Sequence, residues 1–504
     1  MDIFVDLVAY ISILFLVLSC IEVGSNDATN LVNAVLGSRV VTRKTAIVIA
    51  GIFVILGATF SSPVMDTVRK DIFDIKQLDL TMTLSVFISA YIVSTILLYI
   101  YSLFGMPVST TATLVFCLAG GALGVLGSWS AVNWGIFSDI ILAIVCSIFM
   151  SGFFAFFAQR VLRSIIGEKS EDPETIMKHG PWITSLMLIS LFWFMVVKGM
   201  KHVSFIKNAK SMVEQTSSLL SFLIIFLTLT VASYVILNFL GEKRSKYLFH
   251  CISLIGMSCM AFAFGQNDLA NCASPGLAIL MIWINGLSES LQIDVPIWCL
   301  GSCGFLMFLG MMTKRAQRVT RAEINTASQQ DTVNIYAPKW CCKIAKGILN
   351  RKKDQIIKKT HTNNMKNRKG KKIHYDALRA SVILSVGACV IAFASSMGFP
   401  VSTTYVAFAA VIASGWGDKV FSTGQAELKL GRSIWVIFGW FLGAGIAFLS
   451  SALVAYIINT TKAFGMISLL ILLFSVKSYC KRQSDVHEEI YHKKKQPQKK
   501  KKTS

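Results

Sequence analysis

Long apolar runs separated by short polar clusters set the pattern of this chain. Met82–Phe104, Gly180–Val197, Gln215–Gly241, Val295–Thr313 and Ser433–Thr461 contain no Asp, Glu, Lys or Arg. A helix of about 20 such residues crosses the hydrocarbon core of a bilayer. The runs predict helices near 3–23, 45–61, 82–104, 111–127, 133–158, 181–198, 216–240, 247–285, 295–313, 379–416, 433–460 and 463–476. That is an all-α polytopic membrane protein of about 10–12 segments. Asp2 and Asp6 at the start of the first run, with neither a basic stretch nor a cleavage site, make it a retained span. Two runs are too long for one crossing. The 38 residues Ala380–Gly417 carry no charge, and as one helix they would reach about 57 Å against a core of about 30 Å. Gly398-Phe399-Pro400 is the expected break. Tyr247–Leu287 is expected to be interrupted at Gly265-Gln266-Asn267-Asp268. Breaks at bilayer depth are tolerated where the backbone lines protein or a water-filled cavity.

The polar clusters occur in duplicate. Gly24-Ser25-Asn26-Asp27-Ala28-Thr29-Asn30 returns as Gly265-Gln266-Asn267-Asp268-Leu269-Ala270-Asn271, the shared pattern being G-x-N-D-x-x-N. Gly105-Met106-Pro107-Val108-Ser109-Thr110-Thr111 returns as Gly398-Phe399-Pro400-Val401-Ser402-Thr403-Thr404, the shared pattern being G-x-P-V-S-T-T. The same order in both halves is the signature of a transporter built from internal repeats. The chain divides into a first repeat (1–160), linking helices (161–246), the first part of a second repeat (247–313), a basic loop (314–377), the second part of that repeat (378–460), and a terminal helix with a basic tail (461–504).

Composition narrows the class. Of 504 residues, 54% are hydrophobic and 15% charged, against roughly a quarter charged in a soluble domain; a soluble enzyme, a disordered chain and a coiled coil are excluded. The net charge of +22 is local. Lys314–Ala377 holds 17 basic residues against 4 acids, and Lys477–Ser504 holds 10 against 3. Both are expected in the cytoplasm, near anionic lipid. They lack the reading elements of a nucleic-acid binder. The 12 cysteines lie mostly in apolar runs without a disulfide spacing. Adjacent Cys341 and Cys342 lack zinc-site spacing. The absence of a Walker-type glycine loop argues against ATP hydrolysis by this chain.

Asp27 and Asp268 in apolar surroundings require a counter-charge. Oxygens of Asn26, Asp27 and Asn30, and of Asn267, Asp268 and Asn271, suit a hard cation such as sodium; the same residue types also cap helices, and duplication inside apolar runs favours the ligand reading. Pro followed by Ser-Thr-Thr reads as the start of a half-helix, with free N–H groups, hydroxyls and the positive end of the dipole. Ser109, Thr110, Thr111, Ser402, Thr403 and Thr404 would there hold a tetrahedral oxyanion without Lys or Arg. Such hydroxyls can instead bond back to their own helix. An anion beside two carboxylates is repelled unless cations intervene, so coupling to a cation gradient follows from the charge count.

At these motifs the chain resembles the inorganic phosphate transporter (PiT) family. The resemblance covers the membrane part and implies two inverted repeats with broken helices, symport of phosphate with sodium or protons, no cofactor, and a homodimer. It makes Asn26, Asp27, Asn267 and Asp268 ligands of cation or phosphate, and the six hydroxyl residues ligands of phosphate. Ser25 and Gln266 stand where the family usually has Ala, and Ala112 and Tyr405 where many members have His. The expected location is the cell membrane, the inner one in a bacterium. Sulfate permease and anion channel remain alternatives from the residues alone, as does a scaffold whose basic loop and tail are the working surface. Glu22 is a further cation ligand, a proton carrier or an interfacial acid. Lys198 is expected to snorkel to the headgroups, Arg39, Arg43 and Lys44 to form an interfacial loop, and Asp139 to make a contact between helices.

Overall fold

The computed structural model describes residues 3–61, 72–73, 77–199, 218–286, 295–350, 372–422 and 424–495. In chain order the helices are α1 (Ile3–Gly37), α2 (Arg43–Ala58), α3 (Leu80–Leu103), α4 (Thr110–Leu126), α5 (Trp134–Ile166), α6 (Pro173–Phe192), α7 (Ser218–Leu240), α8 (Leu248–Asn285), α9 (Ile297–Met311), α10 (Lys314–Thr326), α11 (Lys339–Asn350), α12 (Ala377–Ser396), α13 (Thr403–Gly417) and α14 (Ala426–Lys495). α14 is two helices joined at Lys462, whose φ is 50°. Among the described residues eight helices are long and apolar enough to cross a membrane, or nine if the pair α9 and α10, bent by 67°, makes one span. The chain is a multi-pass membrane protein. Leu142, Val145, Phe149, Phe153 and Phe157 line an exposed apolar stripe on α5, the face such a helix presents to lipid.

Local sequence explains the helix starts. Thr42, Asp79, Ser109, Asn133, Asp172, Thr313, Asp376 and Ser402 each accept a backbone N–H of the first turn. The breaks at G-x-P-V-S-T-T fall where the sequence places them. Gly105 and Gly398 take left-handed φ values of 65° and 78° just after α3 and α12, and Pro two residues on prevents continuation.

The expected interruption at G-x-N-D-x-x-N is corrected. α1 and α8 run unbroken through Gly24–Asn30 and Gly265–Asn271. Their surplus length lies inside protein: every residue from Glu22 to Val35 and from Phe264 to Ile279 is buried. The glycines serve close approach. A Cβ on Gly24 would stand 1.9 Å from the Met307 carbonyl oxygen of α9, and one on Gly265 2.2 Å from that of Val54 in α2. Each half is thus completed by the other: α9 packs on α1 and α2 on α8, while α14 packs on α4 and α5 on α13.

At one end Arg163 of α5 bonds to Asp376 and, at 2.5 Å, to Asp418. Gln329 joins both, donating to Asp418 at 2.5 Å and accepting from the Asp376 N–H at 2.7 Å. Arg163→Met would leave two largely buried carboxylates short of their counter-charge, at an expected cost of up to about 3 kcal/mol. A lowered thermal midpoint in detergent checks this; an unchanged midpoint contradicts it. Beside this cluster, burial and then Arg39, Lys372 and Lys429 push His374 down to about 4, so it meets Ser328 as a neutral ring at 2.9 Å.

The basic segment does not begin as a free loop. α10 lies on α1: Arg315 pairs with Glu22 at 2.6 Å, Thr313 meets Ser25 at 2.7 Å, and Arg43 donates to Gln317 and the Thr313 carbonyl. Glu22 is therefore an ion-pair partner here. Asp139 is exposed near the start of α5, and the Arg39 Nε donates to the Lys372 carbonyl at 3.2 Å. Residues 351–371 of the segment and 496–504 of the tail lie outside the described residues.

Candidate transport site

α1 and α8 cross at the centre, and α4 and α13 begin there. Each acid takes one bond from the other half. Thr404 of α13 donates to Asp27 Oδ1 at 2.9 Å. Thr110 of α4 donates to Asp268 Oδ1 at 3.3 Å, and Thr403 donates to Asp268 Oδ2. The second asparagines complete the exchange: Asn30 Nδ2 donates to Thr404 at 3.1 Å, and Asn271 Nδ2 to Thr111 at 2.8 Å and to Asp268 at 2.6 Å. Thr111 donates to the Val401 carbonyl at 2.9 Å, while Thr404 lies 3.3 Å from that of Val108. Asp27, Asp268, Thr111 and Thr404 are at most 1% exposed, so this arrangement is occluded.

Not every residue of the duplicated motifs faces this centre. Asn26 Nδ2 donates to Ser102 at 2.9 Å, and its Oδ1 accepts the Val108 N–H at 3.1 Å. Asn267 donates to Ser395 at 3.0 Å and towards the Phe399 carbonyl at 3.4 Å. This pair braces the two chain breaks. Ser109 and Ser402 use their oxygens as caps, accepting from the N–H groups of Ala112 and Tyr405. Ser25 and Gln266 turn away, to Thr313 and to the Phe60 carbonyl, and Tyr405 stacks on Trp440 at 4.0 Å. The departures from the family pattern at Ser25, Gln266 and Tyr405 thus lie outside the Asp–Thr–Asn exchange.

The chemistry of the centre is an excess of acceptors. Asp27 Oδ2, Asn30 Oδ1 and Asn271 Oδ1 are buried without a donor. Among the described residues no Lys or Arg bonds either carboxylate. The two Asp carboxyls accept from consecutive residues, Thr403 and Thr404. Buried oxygens without donors, beside acids without a basic partner, suit hard cations. The hydroxyls at the starts of two half-helices suit an anion.

Sequence reasoning missed Glu323, Thr29 and Asn33. Glu323 of α10 accepts from Thr29 at 2.7 Å and Asn33 at 2.6 Å. A signal was present: Asn26, Thr29, Asn30 and Asn33 form one polar stripe at helical spacing, and Glu323 continues the buried positions Ala316, Val319 and Thr320 of α10.

A duplicated helical membrane protein whose halves exchange hydroxyls and acids at an occluded centre is built as a transporter. The chain belongs to the phosphate transporter family, whose model matches residues 23–322. It is 26% identical over 432 residues to a protein of Thermococcus kodakarensis provisionally named a phosphate permease, covering 85% of this chain and 92% of that one. A Pyrococcus abyssi protein with the same provisional name is 26% identical over 442 residues, covering 86% and 93%. In fold the chain is similar to a solved sodium-dependent phosphate transporter, with a TM-score of 0.67 at 19% identity, over 90% of this chain and 99% of that one.

Proposed function

We propose that this protein moves inorganic phosphate across the membrane together with sodium, by exposing the crossed site to either side in turn. The observation that carries the reading is the set of three buried oxygens without donors, on Asp27, Asn30 and Asn271, beside Asp268. Cations at these oxygens, with Asp27 and Asp268 as principal ligands and Asn30 and Asn271 beside them, remove the repulsion an incoming phosphate would meet. Phosphate then engages the hydroxyls of the S-T-T motifs and the dipoles of α4 and α13. Sodium is favoured over protons because the orphan atoms are amide and carboxylate oxygens, a hard-cation set, and because the similar solved structure is that of a sodium-dependent phosphate transporter.

The test is uptake of labelled phosphate into proteoliposomes under a sodium gradient, a proton gradient or neither, with excess sulfate as competitor. Accumulation that needs sodium and ignores sulfate is expected. Passive equilibration would make the protein a channel. Thr110→Val with Thr403→Val removes two hydroxyls at about 0.5–1.5 kcal/mol each, so the phosphate concentration for half-maximal uptake should rise by roughly tenfold. An unchanged value would remove these hydroxyls from the site.

A further inference from the structure

α10 carries an acid that the duplicated motifs do not use. Glu323 is 2% exposed, and both its oxygens accept from α1, from Thr29 Oγ1 and Asn33 Nδ2. Both donors are neutral. The charged groups around it are engaged elsewhere or carry the same sign. Arg315 pairs with Glu22 of α1. Arg318 reaches the Leu103 carbonyl at the end of α3, together with Ser484 and Asp485 of α14. Arg379 of α12 donates to the carbonyls of Ala327 and Val411 and lies over the Tyr375 ring. The Tyr375 hydroxyl donates to the backbone carbonyls of Glu323 and Ile324, leaving the carboxyl alone. Asp27 is further along α1, bonded to Thr404. Arg321 shares the helix of Glu323, and among the described residues no ion pair joins Glu323 to a cation. Asn33 Oδ1, on a residue 0% exposed, is left without a donor at the same spot.

A dry carboxylate facing neutral donors and an orphan acceptor lacks a proton. A proton on Glu323 makes one oxygen a donor. With the Asn33 amide turned over, Asn33 Oδ1 gains its partner while Thr29 still donates to the other oxygen.

We propose that Glu323, Thr29 and Asn33 form a proton-binding site, distinct from the crossed site, that holds α10 against α1 when occupied and lets the two part when empty. α10 also lies over the first chain break: Gly105 faces the Arg318 carbonyl and the Ala322 side chain. The proton therefore fastens the cover over one side of the transport site, the side that carries the basic segment. Its effect on uptake rests on the carrier reading; the binding of the proton does not.

Infrared difference spectra of the purified full-length protein, with pH stepped from about 5 to about 9, read the site directly through the carbonyl band of a protonated carboxyl group. A band that fades as pH rises and is missing from Glu323→Gln is expected; Glu323→Asp, which keeps an acid, should displace its midpoint. In proteoliposomes, external pH is held constant so that phosphate speciation is fixed, and the pH on the α10 side is varied. Wild-type initial uptake should rise roughly threefold between about pH 6 and about pH 8 as the site empties, while Glu323→Gln stays at the acid-side rate. Titrating carbonyl intensity that Glu323→Gln does not lower, or a pH profile it shares with wild type, overturns the site. Wild-type protein that takes up no phosphate at any pH while the band titrates supports the site and sinks the carrier reading.

Discussion

Asp27→Asn is expected to abolish cation-driven phosphate uptake while the protein stays at normal abundance in the membrane, and Asp268→Asn to do the same. The substitution is nearly isosteric; at Asp27 it keeps an oxygen to accept from Thr404, and at Asp268 it keeps one of the two oxygens that accept from Thr110 and Thr403. The helix contacts around Gly24 and Gly265 are untouched. What is lost is one negative charge in a buried centre that no Lys or Arg serves among the described residues. Cation binding there depends on that charge. A fall in uptake of at least about a hundredfold corresponds to about 2.7 kcal/mol of lost stabilisation. Uptake at wild-type rates in either variant would remove the carboxylates from the coupling step.

The second large effect is on assembly. Gly24→Ala places a methyl group 1.9 Å from the Met307 carbonyl oxygen, and Gly265→Ala places one 2.2 Å from that of Val54. The obstacles are backbone atoms of α9 and α2, which move only if whole helices shift. Overpacking in ordinary cores costs about 1–3 kcal/mol and occasionally more, and these two sites seat the α1–α9 and α8–α2 contacts. Each variant should reach the membrane in a small fraction of the wild-type amount, or elute as aggregate after solubilisation. Gly445→Ala, whose Cβ would meet nothing within 4 Å, is the control. Equal abundance of all three proteins would show that the helices can separate at no cost.

These two results draw on different parts of what the sequence shows. Apolar run lengths predicted the helical membrane fold, and the 38-residue run Ala380–Gly417 predicted the break between α12 and α13 because glycine and proline act locally. The same reasoning misplaced a break at Gly265. A glycine that ends a helix and a glycine that lets two helices touch look alike in sequence, and only the neighbouring carbonyl of Val54 tells them apart. The duplicated motifs named residues that meet at the candidate site but not its wiring. That Thr404 serves Asp27 and Thr110 serves Asp268 follows from helices exchanged between the halves, and Thr403 reaches Asp268 within the second half; both are non-local facts. Likewise Asn26 and Asn267, expected as ligands, bond to the chain breaks, since each faces the end of α3 or α12. Glu323 was hidden by its basic neighbours; in a segment read as a loop, nothing but helical periodicity marks it as buried.

Equilibrium binding of labelled phosphate to the purified protein, in sodium and in choline at equal ionic strength, tests most directly whether cations at the crossed site admit the anion. Saturable binding in sodium, lost in choline and lost in Asp27→Asn, is expected. Equal binding in both salts would contradict it, because the two buried carboxylates would then not need cations to accept an anion between them.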